Sequence, residues 1–246
     1  MQSESSVAQR VQKLRGLVSM RTVSKNDSIH HIDDLAPMIQ IKFSLGHFMN
    51  PKIRAKEEEL YNLVKEIEAL RMAHQGEEVP DYEFTNLHGN IKLSEMFGDK
   101  SGLFVIHNMG QGCRYCTLWA DGINAFLQHL ETEFSVFLVS KDDPATQRTF
   151  ANERGWRFQL ASHDGESYAI EQSVEEGEDN YPGISYFVKR DEKIFKKNNA
   201  TFGPGDAFCS LWHILSLSGR NEEDWFPQFN YWKRPESLDD GGRNVE

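Results

Sequence analysis

The chain has 246 residues, enough for one large domain or one domain with an appendage, and its 39% hydrophobic and 26% charged residues match an ordinary globular protein whose core needs no disulfide staples. Its 38 acidic residues outnumber 27 basic ones for a formal net charge of −11, which leaves no basic field for nucleic acid or anionic lipid, and neither is expected as a partner. No run approaches the ~18 apolar residues of a membrane helix, the opening "MQSESSVAQRVQKLRGLVSM" lacks the apolar centre of a secretory signal, and the cytoplasm is the expected location.

Residues 1–48 show weak periodicity, a His30-His31 pair and a short apolar patch at Ile39, Ile41 and Phe43. They read as a loosely ordered extension. From Pro51 the pattern sharpens: Leu60, Leu63, Val64, Ile67 and Leu70 follow helical spacing, while Lys56, Glu57, Glu58, Lys65 and Glu66 take the other face. Residues 49–79 are therefore expected to hold one amphipathic helix that ends near Gly76, is closed off by Pro80 and packs on the domain, with joining two protomers as the alternative.

Residues 80–246 read as the domain proper, with a C-terminal helix and an aromatic tail. "YEFTNL" and "NIKL" are short strands about a turn at His88-Gly89-Asn90, and "GLFVIHNM" is an apolar run suited to a strand buried on both faces. Thr117 to Glu131 reads as a helix with Leu118, Trp119, Ile123, Phe126, Leu127 and Leu130 on a broad apolar stripe and Asp121 on the polar face. "FSVFLVS" is a second buried strand. Asp143 caps a helix that starts at Pro144 and stops at Gly155, and "WRFQLAS" is a third strand. After the acidic loop "EQSVEEGEDN", the runs "ISYFVKR" and "KIFKK" flank Asp191-Glu192 as an antiparallel hairpin. A last helix runs from about Asp206 to Ser218, with Phe208, Leu211, Trp212 and Leu215 inward. The aromatic segment "NEEDWFPQFNYWKRP" either packs on the body or forms a dimer contact. This order predicts an α/β sandwich with a central mixed sheet flanked by helices.

Of three cysteines, Cys113 and Cys116 form a Cys-x-x-Cys pair between a buried strand and a helix. In a reducing compartment such a pair means redox chemistry, metal, or simply core. A helix N-terminus lowers a thiol's pKa, and Arg114 adds a positive charge that favours the thiolate. Cys116, about one turn on, could resolve a mixed disulfide formed by Cys113. The metal reading also has content: Cys209 and His213 are four apart on the last predicted helix, and with Cys113 and Cys116 they could complete a Cys₃His zinc site. Alone, Cys209 amid Phe208, Leu211 and Trp212 belongs to the core.

The order of elements resembles the thioredoxin superfamily. "NLHGNIKLSEMFGDKSGLFVIHN" is similar to the leading hairpin and first central strand of its peroxiredoxin-like and cytochrome-maturation-like branches, with "GCRYC" in the active-site turn. More narrowly, the chain from about Met49 to Tyr231 resembles the DUF899 thioredoxin-like family, through "RAKEEELYNLVKEIEALR", "GCRYCTLWADG" and "YPGISYF" followed by a charged turn. The resemblance implies a thioredoxin-like sandwich preceded by an N-terminal helical extension, and thiol-disulfide exchange with a protein or small-molecule disulfide and an unknown reductant. It implies a cis-proline before the hairpin, at Pro182 or with Gly183 in that register, shaping a docking edge. It also places His107, six residues before Cys113, where thioredoxins keep a buried group that handles the resolving thiol's proton; within an apolar strand the same histidine is otherwise a hydrogen-bonded core residue. The peroxiredoxin Pro-x-x-x-Thr/Ser-x-x-Cys motif is missing, since the loop before Cys113 reads "HNMGQG", so disulfide exchange ranks above a weak thiol peroxidase activity. No organic cofactor is implied, because neither nucleotide-binding glycine loop is present.

Overall fold

The computed structural model describes residues 50–163, 168–169 and 180–229. The 1–48 extension, most of the acidic loop and the tail from residue 230 lie outside the described residues. The chain divides near Ala55 into two units. In the first, residues 50–55 open helix α1 (Pro51–Ala73), where the Lys52 N–H donates to Asn50 Oδ1 at 2.9 Å.

From Lys56 on, an eight-stranded mixed sheet runs in the order β1-β8-β7-β4-β5-β6-β2-β3. Its strands are β1 (Glu77–Val79), β2 (Glu83–Asn86), β3 (Gly89–Lys92), β4 (Gly102–His107), β5 (Ser135–Ser140), β6 (Gln159–Ser162), β7 (Gly183–Arg190) and β8 (Lys193–Thr201). A short helix α2 (Leu93–Met96) follows the β2–β3 hairpin. The longer helices are α3 (Arg114–Leu130), α4 (Pro144–Arg154) and α5 (Ser210–Leu217).

Strands β4, β5 and β6 are parallel and joined by α3 and α4, whereas β7 lies antiparallel on the other side of β4 and pairs with β8. The all-apolar runs of β4 and β5 suit strands covered on both faces: Leu103, Val105, Val136 and Val139 are fully buried. Alternation along β4 divides two cores. Ile106 joins Leu138, Leu160 and the inner residues of α3, Trp119, Ile123 and Leu127. Leu103 and Val105 face the opposite layer, with Tyr82, Phe84, Phe97 and Tyr168.

Local chemistry accounts for the joints. Asp143 Oδ1 accepts the Ala145 and Thr146 amides at 3.1 and 3.0 Å to start α4, and Gly155 ends it at φ 69°. The β7–β8 turn uses two positive-φ residues, Asp191 (50°) and Glu192 (65°), the conformation a two-residue hairpin loop demands.

Several sequence expectations change in three dimensions. β1 was not anticipated: three residues between the end of α1 and Pro80 pair with β8 at the sheet edge. α1 buries none of its residues. Its end meets the sheet, where Asn198 Nδ2 donates to the Arg71 carbonyl at 3.2 Å and, just beyond the helix, the His74 ring bonds the Lys197 carbonyl. Phe126 is 54% exposed, because it falls outside the arc of α3 that meets the sheet. Asp121 is no free polar-face residue, since it pairs with Arg154 and accepts the Trp156 indole N–H at 2.7 Å. α5 starts only at Ser210 because Asp206 caps the preceding turn, accepting the Phe208 and Cys209 amides, and Phe208 stays 37% exposed. The described part of the aromatic tail packs on the body. Trp225 lies edge-on to Trp212, and Phe229 is buried against Phe150.

Candidate active site

β4 ends at His107, and a five-residue loop, Asn108 to Gly112, brings the chain to α3. Asn108 organises it: the side-chain oxygen accepts the Gly110 N–H at 2.8 Å and the side-chain amide donates to the Cys116 carbonyl at 3.4 Å. Gly110 has φ 108°, and a Cβ there would sit 3.0 Å from both Asp142 carboxylate oxygens. Only glycine fits that turn. The next residue is held by the same carboxylate, with the Gln111 N–H donating to Asp142 Oδ2 at 2.6 Å.

This loop delivers Cys113 to the N-cap of α3, where its Sγ accepts the Cys116 N–H at 3.2 Å. The sulfur thus occupies the place of a capping oxygen among amides with no helical partner. Cys113 is half-buried and Cys116 is buried, and both are free thiols. Their titrations diverge. Cys113 is lowered to about 7, chiefly by the hydrogen bond from the Cys116 thiol, helped by the Cys116 and Tyr115 amides and against the effect of burial. Cys116 is pushed well above an ordinary thiol by burial, and further by the bond to Cys113 and its charge. Cys116 Sγ accepts the Met109 N–H at 3.4 Å.

Arg114 contributes less than its position suggests. Its charge favours the Cys113 thiolate, but as the weakest of the causes. The side chain is buried, and Nη1 donates to the Pro227 carbonyl at 3.4 Å, tying the start of α3 to the tail.

His107 points away from α3, by the alternation that turns Leu103 and Val105 the same way. Its ring stacks on His163 (centroids 5.0 Å apart) and Tyr168 (5.9 Å). Burial holds its pKa below the usual imidazole value, only partly offset by Asn180. Nε2 donates to Asn180 Oδ1 at 3.1 Å, which leaves Nδ1 as the basic nitrogen, buried with no hydrogen-bond partner among the described residues. Asn180 Nδ2 in turn donates to the Met109 carbonyl at 3.4 Å. The link from His107 to Cys116 therefore runs through Asn180 and the Met109 backbone. Sequence reasoning missed Asn180 inside an acidic loop, and missed Asp142; Asn108 carried a local signal, an Asn two residues before a glycine at a strand end, the spacing of an Asx turn.

Two expectations are corrected. No peptide bond among the described residues is cis, so Pro182 is not the cis-proline the resemblance implies. It is buried in an extended run, its carbonyl accepting the Phe202 N–H at 2.9 Å, while Gly183 pairs with His107 and Thr201. The Cys₃His zinc set does not assemble either: among the described residues no group of three or more His, Cys, Asp or Glu side chains could hold a metal ion. Cys209 is buried in the core with Trp119, Phe202 and Trp212, whereas His213 is exposed on another side of α5.

A parallel β-α-β-α-β run followed by an antiparallel hairpin on the far side of its first strand, with Cys-x-x-Cys opening the first helix, defines a thioredoxin-like fold. The leading β2–β3 hairpin lies beyond β6 at the edge of the sheet. Residues 51–237 match the family described as bacterial protein of unknown function (DUF899), and the chain belongs to it. A search of curated proteins finds no match. Among solved structures it is similar to peroxidoxin BcpB from Mycobacterium tuberculosis (20% identity, TM-score 0.43, covering 60% of this chain and 99% of that one). It is also similar to peroxiredoxin Q from Xanthomonas campestris (14%, 0.44, 60% and 99%) and to a peroxiredoxin-like protein from Aquifex aeolicus (16%, 0.39, 51% and 74%). No helix among the described residues is long and apolar enough to cross a membrane.

Proposed function

We propose that the protein is a thiol-disulfide oxidoreductase in which Cys113 attacks and Cys116 resolves. The observation that carries this reading is the split within the pair: a half-buried sulfur capping α3 with its pKa lowered to about 7, beside a buried one pushed well above the ordinary value. With its pKa near neutrality the first is substantially ionised there, about half thiolate, while the second stays a protected thiol until it is needed.

The Cys113 thiolate attacks one sulfur of a substrate disulfide, the substrate S–S bond breaks, and the other sulfur leaves as a thiolate. Cys116 then loses its proton and attacks Cys113, the mixed disulfide breaks, and the second substrate sulfur leaves. The substrate is reduced by two electrons and the Cys113–Cys116 pair is oxidised to a disulfide, which a dithiol reductant reopens. The neutral His107, through Asn180 and Met109, is the group placed to influence the Cys116 proton. Pro182 and Gly183, where the chain enters the strand beside β4, shape the edge against which a protein or small-molecule disulfide docks. A reducing compartment such as the cytoplasm suits this cycle.

The test is reduction of a protein disulfide by a dithiol, with single cysteine variants. Cys113→Ser abolishes turnover, and Cys116→Ser forms a mixed disulfide that does not resolve. Undiminished activity in Cys113→Ser would sink the reading.

A further inference from the structure

α1 presents an apolar stripe that the described residues of its own chain leave uncovered. Leu60 is 53% exposed, Leu63 54%, Ile67 44% and Leu70 72%, and none of the helix is buried. A row of large exposed aliphatic side chains along one helix marks an interaction surface. The rest of the domain does not need it, since both cores are filled from other elements.

The spacing says what kind of surface. Leu60, Leu63, Ile67 and Leu70 recur at three, four and three residues, the a and d positions of two heptads, which is a seam narrow enough for one partner helix. Glu59 and Glu66 then take the g positions, and Val64 and Arg71 the e positions. The charges choose the orientation. In a parallel pair a g residue meets the e residue five positions on in the partner, which sets Glu66 against Arg71 in both symmetry-related directions and Glu59 beside Val64. In an antiparallel pair the g positions face one another and put glutamates together. Glu66 and Arg71 make no ion pair within the chain among the described residues, whereas Lys56–Glu59 and Lys65–Glu68 are internal pairs. Among the described residues the Arg71 guanidinium meets the Phe208 ring, 6.0 Å away.

We propose that the occupant of this face is α1 of a second copy of the chain, packed parallel across a two-fold axis, with Leu60, Leu63, Ile67 and Leu70 in the seam and Glu66–Arg71 pairs at its rim. The contact is isologous and closes as a dimer.

The test is the mass of the full chain by sedimentation equilibrium across micromolar concentrations, with far-UV circular dichroism as a control for folding. The wild type is expected as a dimer and Leu63→Asp as a folded monomer. Glu66→Arg and Arg71→Glu each weaken the dimer roughly tenfold, and the double swap Glu66→Arg/Arg71→Glu restores it. A wild type monomeric throughout, as would follow if residues 1–48 covered the stripe, overturns the proposal, as does a dimer unaffected by Leu63→Asp. A double swap no better than the single variants overturns the parallel register.

Discussion

The backbone N–H of Cys116 donates to the Sγ of Cys113 at 3.2 Å, so the second cysteine of the pair stabilises the anion of the first by its backbone. One turn of helix both exposes a nucleophile and hides its resolver, because the N-cap side chain faces outward over the helix end while the residue three further on turns inward.

Thiol reactivity should therefore rise with pH in one step. Cys113 has its pKa lowered to about 7, so its alkylation rate climbs through neutrality and levels off above it as the thiolate fills. Cys116, raised well above the ordinary value, stays unreactive across the same range. Rates of iodoacetamide labelling against pH, with mass spectrometry to assign the site, check both. The linked stability follows the signs. A depressed thiol adds stability that is present above its unfolded-state value and fades as pH falls towards 7, whereas the raised Cys116 adds stability that is lost in alkali.

Asn180→Ala should separate the two chemical steps. It removes the bond to His107 and the donor to the Met109 carbonyl, but leaves the capping of Cys113 intact. Resolution of the mixed disulfide slows about tenfold, the worth of one buried hydrogen bond, while the rate of Cys113 attack is unchanged. Rapid-mixing kinetics with a chromogenic disulfide distinguish the steps. The His107 ring titration supplies a second reading. Asn180 raises its pKa, so the alanine variant moves it down, and Asn180→Asp moves it up by adding a carboxylate.

Gly110→Ala tests the loop that presents Cys113. An alanine must adopt φ 108° with its Cβ 3.0 Å from the Asp142 carboxylate, which costs about 1–3 kcal/mol of backbone strain. Urea denaturation reads that loss, and the Cys113 labelling midpoint moves up as the helix start is disturbed.

Asp121→Ala is expected to weaken the fold and spare the chemistry. It leaves the buried Trp156 without its 2.7 Å indole partner and Arg154 without its carboxylate, at about 1–3 kcal/mol for the unsatisfied indole. Urea denaturation should show the loss, with Cys113 labelling at the wild-type rate.

Much of this was legible beforehand for a physical reason: strands such as β4 and β5, buried on both faces, must be continuously apolar, and helix ends must supply caps. Asp143, Pro144, Gly155 and the Asp191-Glu192 turn could thus be placed from residue chemistry, as could the Cys-x-x-Cys pair at a strand-to-helix junction. β1 escaped notice because three residues of edge strand carry no periodicity. Phe126 and Phe208 misled because an apolar residue reports a preference for burial, whereas the surface that would bury it is set by elements distant in the chain.

The sequence by itself determined the class of fold and the two sulfurs, because periodicity, capping and Cys-x-x-Cys spacing are local properties. Only the tertiary structure decided how unlike those sulfurs are, that His107 lies on the far side of β4 and reaches Cys116 through Asn180, that Pro182 is trans, and that Cys209 and His213 join no metal site. Each of those depends on burial and on contacts between residues far apart in sequence, from the 71 positions between Met109 and Asn180 to the 113 between Arg114 and Pro227, which no local pattern encodes.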